Sequence, residues 1–579
     1  MADLEVFSFD KGIVIDAKST LLLTDGELQA ASNFNYLQDG VMEAREPRTK
    51  KNTTAYGSIH FLERYMNQVL MADGTTVRSR WDMDGYCGLY TPSNYNYTTV
   101  GSLLSSARIR TANYGGFQFL VNGSDSKAYP GIYGAGGATN LLDWTIPNPD
   151  IEPMGTAGAS GNPTGVQYLY YTFYVLFPNG RVYESGVSPV GTVTVTSQKV
   201  EWANIRPCPY SGAGVTIYRR LYRSSATLAQ IYYVTTIKDN TTTTYSDNDT
   251  DATLELNGIC GSEDYGPVAS GLIDIADHLH RIFGIKENAL YWSEPFMPFA
   301  FPSANNTTVS KEGDNLTSVV RWGDQLFMST HDTWYRLQGN TSDSWAIKNT
   351  FAANGAINAH TVATSKYGII GLWYDGFYLF DGNLNKNLTK DKVKKTFFDD
   401  TISDLSACYA TFDGTRYRFF YPTSGTTISE HLVIDFTDYP TIKIHTDEFI
   451  PTAHHYDTQH GIHYWGKSDG YEYQTGTTET IPISLQTGDR PIKNIFQLKE
   501  TEYLYYDADT NGEDMTVTIY ADGVAQGPTI TINTSSRTRK RLLIPRFQGY
   551  YFSLKIDIAS AQGAVVYSPW GMTFNTAGV

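Results

Sequence analysis

Tyr367-Gly368-Ile369-Ile370-Gly371-Leu372-Trp373, followed by Asp375-Gly376-Phe377-Tyr378-Leu379-Phe380-Asp381-Gly382, reads as an apolar strand, a tight turn and an aromatic strand. The unit recurs. Arg281–Ile285 leads into Asn288–Ser293, and Gly323–Ser329 leads into Asp332–Leu337. Similar units lie at Asp413-Gly414 with Tyr417–Tyr421, and at His460–Tyr464 with Gly470–Tyr473. Two more lie upstream, at Tyr65–Met71 and Phe117–Val121. Asp-Gly pairs permit the positive φ that a type I′ hairpin demands. A spacing of roughly 40 to 50 residues is that of β-propeller blades. A blade cannot bury both of its faces alone, and closing a ring of blades leaves only short edges. The pattern predicts an all-β chain with a β-propeller-like core. Seven candidate hairpins fit a ring of six, seven or eight blades, and a set of unrelated meanders is the competing reading.

Composition agrees with strands. The chain has 579 residues, enough for three or four domains at roughly 100 to 200 residues each. It carries 42 Tyr against 27 Phe and 10 Trp, and 51 Gly. Tyr packs its ring on a pleated surface while its hydroxyl stays wet, and Gly serves the turns. Charged residues make up 18 %, below the ~25 % of ordinary globular chains. The net charge of −16 argues against tight nucleic-acid binding, whose affinity comes from basic groups. It is compatible with lining a passage that double-stranded DNA crosses without sticking. The start, Met1-Ala2-Asp3-Leu4-Glu5-Val6, lacks the basic and apolar regions of a signal peptide, and no run of about 18 apolar residues predicts a membrane-spanning segment. Cys87, Cys208, Cys260 and Cys408 are far apart and read as reduced, buried thiols. Synthesis and folding in a host cytoplasm are expected.

The chain divides into four parts. Residues 1–162 are an N-terminal segment and the first blades. Residues 163–262 interrupt the repeat with about seven short strands, including Tyr168–Val175 and Val215–Ser224. That is the arithmetic of a fibronectin-type-III-like sandwich. Residues 263–477 are the remaining blades. Residues 478–579 alternate cleanly, as in Tyr551–Ile558, and predict a C-terminal antiparallel β-sandwich. Helices are expected only at Asp25–Phe34, with Asp25 as N-cap and Leu28 and Ala31 on one face, and at Asp391–Phe398.

Chemistry is sparse. Asp507-Ala508-Asp509-Thr510-Asn511-Gly512 opens like an EF-hand calcium loop, but Thr518 stands where the bidentate Glu belongs, so a polar turn is the better reading. His454, His455, His460 and His463 cluster, and His278 and His280 form an HxH. Imidazoles at such spacing can bind zinc, but packed or surface histidine is the default. Ser329-Thr330-His331-Asp332-Thr333-Trp334 is only loosely like a sialidase box and lacks its Gly. Two basic runs, Lys390–Lys395 and Arg537, Arg539, Lys540 and Arg541, read as charge-protected strand edges or as contacts for phosphates or an acidic neighbour. No Walker loop, G-x-S-x-G elbow or H-E-x-x-H occurs. The expectation is no enzyme activity, no catalytic or cofactor-binding residue, no cofactor and no metal.

Asn33-Phe34-Asn35-Tyr36-Leu37-Gln38-Asp39-Gly40 and then Arg45-Glu46-Pro47-Arg48 resemble the opening of tail proteins of short-tailed, podovirus-like bacteriophages. Leu290-Tyr291-Trp292-Ser293-Glu294-Pro295, followed by Val319-Val320-Arg321-Trp322-Gly323-Asp324-Gln325-Leu326-Phe327, is similar to tail nozzle and tail hub proteins. The resemblance spans nearly the whole chain but rests on pattern, with no invariant motif. It implies a virion structural protein of the tail that assembles as a homo-oligomeric ring, a homohexamer. Such a ring forms the distal tail tube or nozzle, conducts and gates the genome during DNA ejection, and binds a tail adaptor ring above and tail fibres at its side. A carbohydrate-binding or glycan-degrading propeller is the first alternative. A secreted adhesin is the second, and the missing signal peptide argues against it.

Overall fold

The computed structural model describes every residue except 1–2, 16–18, 38–39, 83–94, 132–140, 394, 494–495 and 577–579. The chain is nearly all β, with 51 % of residues in strands and 4 % in helices. Each hairpin found in the sequence lies within one four-stranded antiparallel sheet. Six of these sheets are separate and a seventh continues into a larger sheet. In chain order they are blade 1 (59–102), blade 2 (110–143), blade 3 (274–308), blade 4 (318–353), blade 5 (363–387), blade 6 (409–446) and blade 7 (453–475). From blade 2 to blade 7 the first strand of each blade lies beside the first strand of the next, and that of blade 7 returns to blade 1. Between blades 1 and 2 the Thr111 hydroxyl donates to Glu63 at 2.5 Å. The result is a closed, seven-bladed propeller.

Central blade strands are covered on both faces, so they read as unbroken apolar runs. Gln68–Asp73 and Phe117–Val121 are buried at every residue. Turns use the left-handed backbone that I′ hairpins require, as at Gly115 (φ 62°) and Gly116 (φ 84°) in blade 2. Blade 7 supplies three strands of its own. Its outer strand is Arg48–Lys50, from the other end of the chain, paired antiparallel to Glu472–Thr475. This strand clasps the ring.

The sandwich insert lies between blades 2 and 3. Its long strand Met154–Leu176 pairs through its first half with Gly191–Ala203 and through its second half with Thr216–Ser225 and Val182–Glu184. Leu169, Tyr171, Phe173, Val195, Trp202 and Leu221 fill its core. That core is continuous with blades 2 and 3: Phe177 stacks on Phe299 at 4.8 Å and meets Phe117 at 4.9 Å.

The C-terminal sandwich draws on both ends of the chain. One sheet holds Asp3–Phe7, Trp570–Thr576, Lys499–Asp509 and Thr538–Leu543. The other holds Glu27–Ser32, Ile483–Thr487, Tyr551–Ile558 and Met515–Ala521. The two close on one core, where Phe552 and Phe574 lie 4.8 Å apart. The second sheet reaches blade 6 through a parallel bridge between Ser32 and Thr446.

Two expected helices are corrected. Residues 25–34 form the strand Glu27–Ser32 and the start of Phe34–Tyr36. A register shift between Leu28 and Ala30 inserts one extra residue, so Leu28 and Ala31 both face the core although three apart. A bulge thus imitates helical spacing. At 391–398 the described residues include only a short helical turn, whose wide part is Phe397–Thr401.

Candidate functional site

The inner blade strands leave a cavity of about 180 Å³ on the propeller axis. Its polar lining comes from five blades: His60 and Glu63 in blade 1, Arg108 and Arg110 at the start of blade 2, His360 before blade 5, Thr411 in blade 6 and His454 and His455 in blade 7. The two arginines differ. Arg110 Nε donates to Asp274 Oδ1 at 2.7 Å, and Asp274 Oδ2 also accepts the Val319 N–H at 2.9 Å. Arg108 makes no ion pair with a described carboxylate. Its Nη1 donates to the carbonyl oxygens of Thr452 (3.0 Å) and His60 (3.4 Å), and its guanidinium lies 3.8 Å above the Tyr409 ring. Burial works against this charge.

Burial, then Arg110 and Arg108, holds His360 well below the usual imidazole range. Burial, then Arg108, takes His60 down to about 4, and His60 Nε2 is buried without a hydrogen-bond partner. The histidines are therefore neutral at pH 7, and Arg108 is a positive charge without a negative partner.

Of the predicted histidines, His454 and His463 come together. His454 Nε2 and His463 Nδ1 are 3.0 Å apart, and both rings stack on Trp465. One proton between two nitrogens makes a neutral pair. Burial, then His463 and Arg418, holds His454 well below the usual range, and burial, then Arg418, takes His463 to about 3. His455 lies beside them, and His460 Nδ1 contacts Asp457 at 2.7 Å. His278 is buried in blade 3, while His280 stacks on Phe296 at 4.6 Å in a turn. Among the described residues no three His, Cys, Asp or Glu side chains are placed to hold a metal ion.

The calcium-like loop is engaged otherwise. Asp507 lies in a strand and accepts from Arg537 and Arg539 at 2.7–3.0 Å. This ties the second basic run to the sheet. From the first run, Lys395 pairs with Asp399 at 2.7 Å in an exposed position, and Lys394 lies outside the described residues. In the sialidase-like stretch the Thr330 hydroxyl accepts the Asp332 and Thr333 N–H groups, which makes it a blade turn. Cys208, Cys260 and Cys408 are buried free thiols, and burial raises their pKa values to about 11, 11 and 12. Cys87 lies outside the described residues.

The outer face of the C-terminal sheet is the other candidate. Cross-strand pairing sets Leu4, Thr573, Tyr503 and Leu543 in one row, and Val6, Gly571, Tyr505 and Arg541 in the next. Leu543 is 75 %, Leu4 58 % and Val6 40 % exposed, so the rows form an apolar strip. Arg541 lies over the Tyr503 ring at 4.4 Å, and Arg539, Lys540 and Arg541 edge a cavity of about 280 Å³ beside Tyr505 and Pro569. The strip runs across four strands and ends at two open sheet edges. The basic run showed in the sequence. Leu4 and Val6 did not, because their exposure depends on pairing with strands more than 500 residues away.

No family model and no curated protein matches the chain. Among solved structures it is similar to the AfRom2 CNH domain, with 8 % identity, TM-score 0.23, and coverage of 66 % of this chain and 96 % of that one. It is also similar to the exo-β-1,3-galactanase of Phanerochaete chrysosporium bound to galactose, with 8 % identity, TM-score 0.22, and coverage of 91 % and 100 %. A glycoside hydrolase follows at 9 % identity and TM-score 0.19, covering 89 % of this chain and 97 % of that one. Scores this low carry no argument about function. In the described part, no helix is long and apolar enough to cross a membrane.

Proposed function

We propose that the chain is a self-assembling structural subunit of a virion tail, forming a ring of the distal tube or nozzle, and that it works by assembly and not by catalysis. The observation that carries the reading is the outer strip of the C-terminal sheet. Exposed Leu4, Val6 and Leu543 flank two tyrosines, between open edges and beside a basic run, on a chain of net charge −16. Apolar strips on open-edged sheets are surfaces for another chain. A basic edge on an acidic chain favours a heterologous contact with a second copy, the kind that closes rings. Placement in a tail, beneath an adaptor ring and beside fibres, rests on the sequence resemblance. In this reading the conduit runs between copies, around the ring's own axis.

Mass photometry and negative-stain imaging of the pure chain test this. Rings with a central hole are expected. Leu4→Glu combined with Leu543→Glu is expected to give monomers with unchanged melting. A wild-type chain that stays monomeric alone and with its adaptor sinks the reading.

A glycan-binding role has one observation in its favour. A cavity of about 300 Å³ between blades 3 and 4 is lined by Trp292, Trp345, Asn306, Thr308 and Ser342, with the two indoles 5.2 Å apart and nearly perpendicular. Aromatic faces beside amides and hydroxyls suit a sugar ring. Host-envelope glycan that quenches tryptophan fluorescence in the wild type but not in Trp345→Ala decides for it.

A further inference from the structure

We infer that the axial cavity is a binding site for a small oxyanion, such as inorganic phosphate or a simple carboxylate, a property independent of how the chain assembles. The argument starts from charge. A buried cation is costly unless paired, and the usual remedy is a carboxylate within reach. Arg110 has that remedy in Asp274, whose second oxygen is also used. Arg108 does not. One nitrogen, Nη1, donates to two carbonyls, the ring of Tyr409 covers one face, and no described carboxylate pairs with it. Glu63 is the carboxylate that shares the cavity, and it accepts from Thr111, one residue beyond Arg110.

The rest of the lining suits an acceptor-only guest. His60 Nε2 lacks a partner, and the neutral tautomer with its proton there is a donor. Thr411 Oγ1 and His454 Nδ1 are hydrogen-bonded to one another, so neither atom competes for the guest. The guest is taken to be small, because a space of about 180 Å³ matches a phosphate or a short carboxylate. The planar guanidinium fork matches the two oxygens of either group. The ring supplies the rest: strands from five blades converge, so the donors are held by the propeller's closure and need no rearrangement to meet a guest.

Isothermal titration of the full chain with inorganic phosphate, and separately with acetate, at low ionic strength and pH 7.5 tests this, with glycerol as the neutral control. One site per chain is expected for an anion, and none for glycerol. Arg108→Met is expected to weaken binding at least 10-fold, while its anion-free melting temperature equals or exceeds that of the wild type, because an unpaired charge has been removed. Arg108→Lys, which keeps the charge but loses the fork, is expected to bind about 10-fold more weakly and fold normally. Phosphate at saturation is expected to raise wild-type melting by about 2 °C or more and to leave Arg108→Met unmoved. No heat with either anion at millimolar concentration overturns the inference. So does an Arg108→Lys chain that binds as well as the wild type, or an Arg108→Met chain that melts lower without anion, since Arg108 is then a structural brace.

Discussion

Two seams of the propeller are built from different materials. Between blades 3 and 4 the packing is apolar: Phe283, Leu290, Trp292, Val319, Leu326 and Met328 interlock, with Asp274 at the inner end. Around blade 7 the packing is ionic and aromatic. Glu472 is gripped by Arg80 of blade 1 at 2.6 Å and accepts the Tyr97 hydroxyl at 2.6 Å, both pairs lying in the interior. Arg64 of blade 1 meets Asp457 at 2.9 Å. On the blade 6 side, Asp447 accepts Arg48 of the clasp strand at 2.7 Å and Arg45 at 3.0 Å. Burial pushes the Asp447 carboxyl up, but Arg48 and Arg45 overcome it and hold it well below the ordinary range. The difference follows from topology. Blades 3 and 4 are neighbours in sequence and find one another by local collapse. Blade 7 must recruit a three-residue strand from about 420 residues away, too short to be specified by its own apolar pattern. Buried charge tolerates one register only, so the clasp is defined by its ion pairs.

The sharpest way to break the contrast is Glu472→Gln. It leaves Arg80 short of its main partner and is expected to cost roughly 3–5 kcal/mol. Hydrogen exchange should then open 48–50 and 453–475 while blades 3 and 4 stay protected; uniform opening would erase the distinction. Leu326→Ala, fully buried in the apolar seam, is expected to cost about 3 kcal/mol through its cavity and to show no pH dependence of that loss between pH 5 and 8.

Acid discriminates next. Burial takes His431 to about 3 and His445 to about 4, with His463 also at about 3. Above pH 7 these rings are neutral in both folded and unfolded chains, so they add no pH dependence. Below about 6.5 the unfolded chain takes up protons that the fold refuses, so stability falls as pH drops toward 4, by roughly 2 kcal/mol per histidine at pH 5. The expected outcome is loss of protection around blades 6 and 7 before blades 3 and 4 on acid titration. Simultaneous loss would contradict it. The smallest expected effect is Lys395→Ala. Its pair with Asp399 is exposed and screened by water, so the loss is expected to fall inside the error of a melting curve.

The same contrast explains what the sequence could convey. Each of the seven hairpins was legible, because a strand buried on both faces, such as Phe117–Val121, leaves a local trace. The clasp strand Arg48–Lys50 was not, since three residues hold no period. Asp3–Phe7 and Glu27–Ser32 were hidden for a related reason: they pair with strands in 446–576, and a bulge at Leu28–Ala30 gave the second helical spacing. The cavity lining left a faint signal in Arg108-Ile109-Arg110 and in His60, His360 and His454, each beside the start of an inner strand. A polar residue at the entrance of several blades marks an axis, but only once the blades are known to form a ring.

Asp3–Phe7 is hydrogen-bonded to Trp570–Thr576, so a strand made early has as its neighbour one made more than 500 residues later. At about 5–20 residues per second that strand waits roughly half a minute to two minutes for its mate. During that interval the apolar residues Leu4, Val6 and Phe7 have no sheet to join, and the blades cannot be clasped. Slowed translation is therefore expected to raise aggregation of newborn chains more than their finished stability would imply.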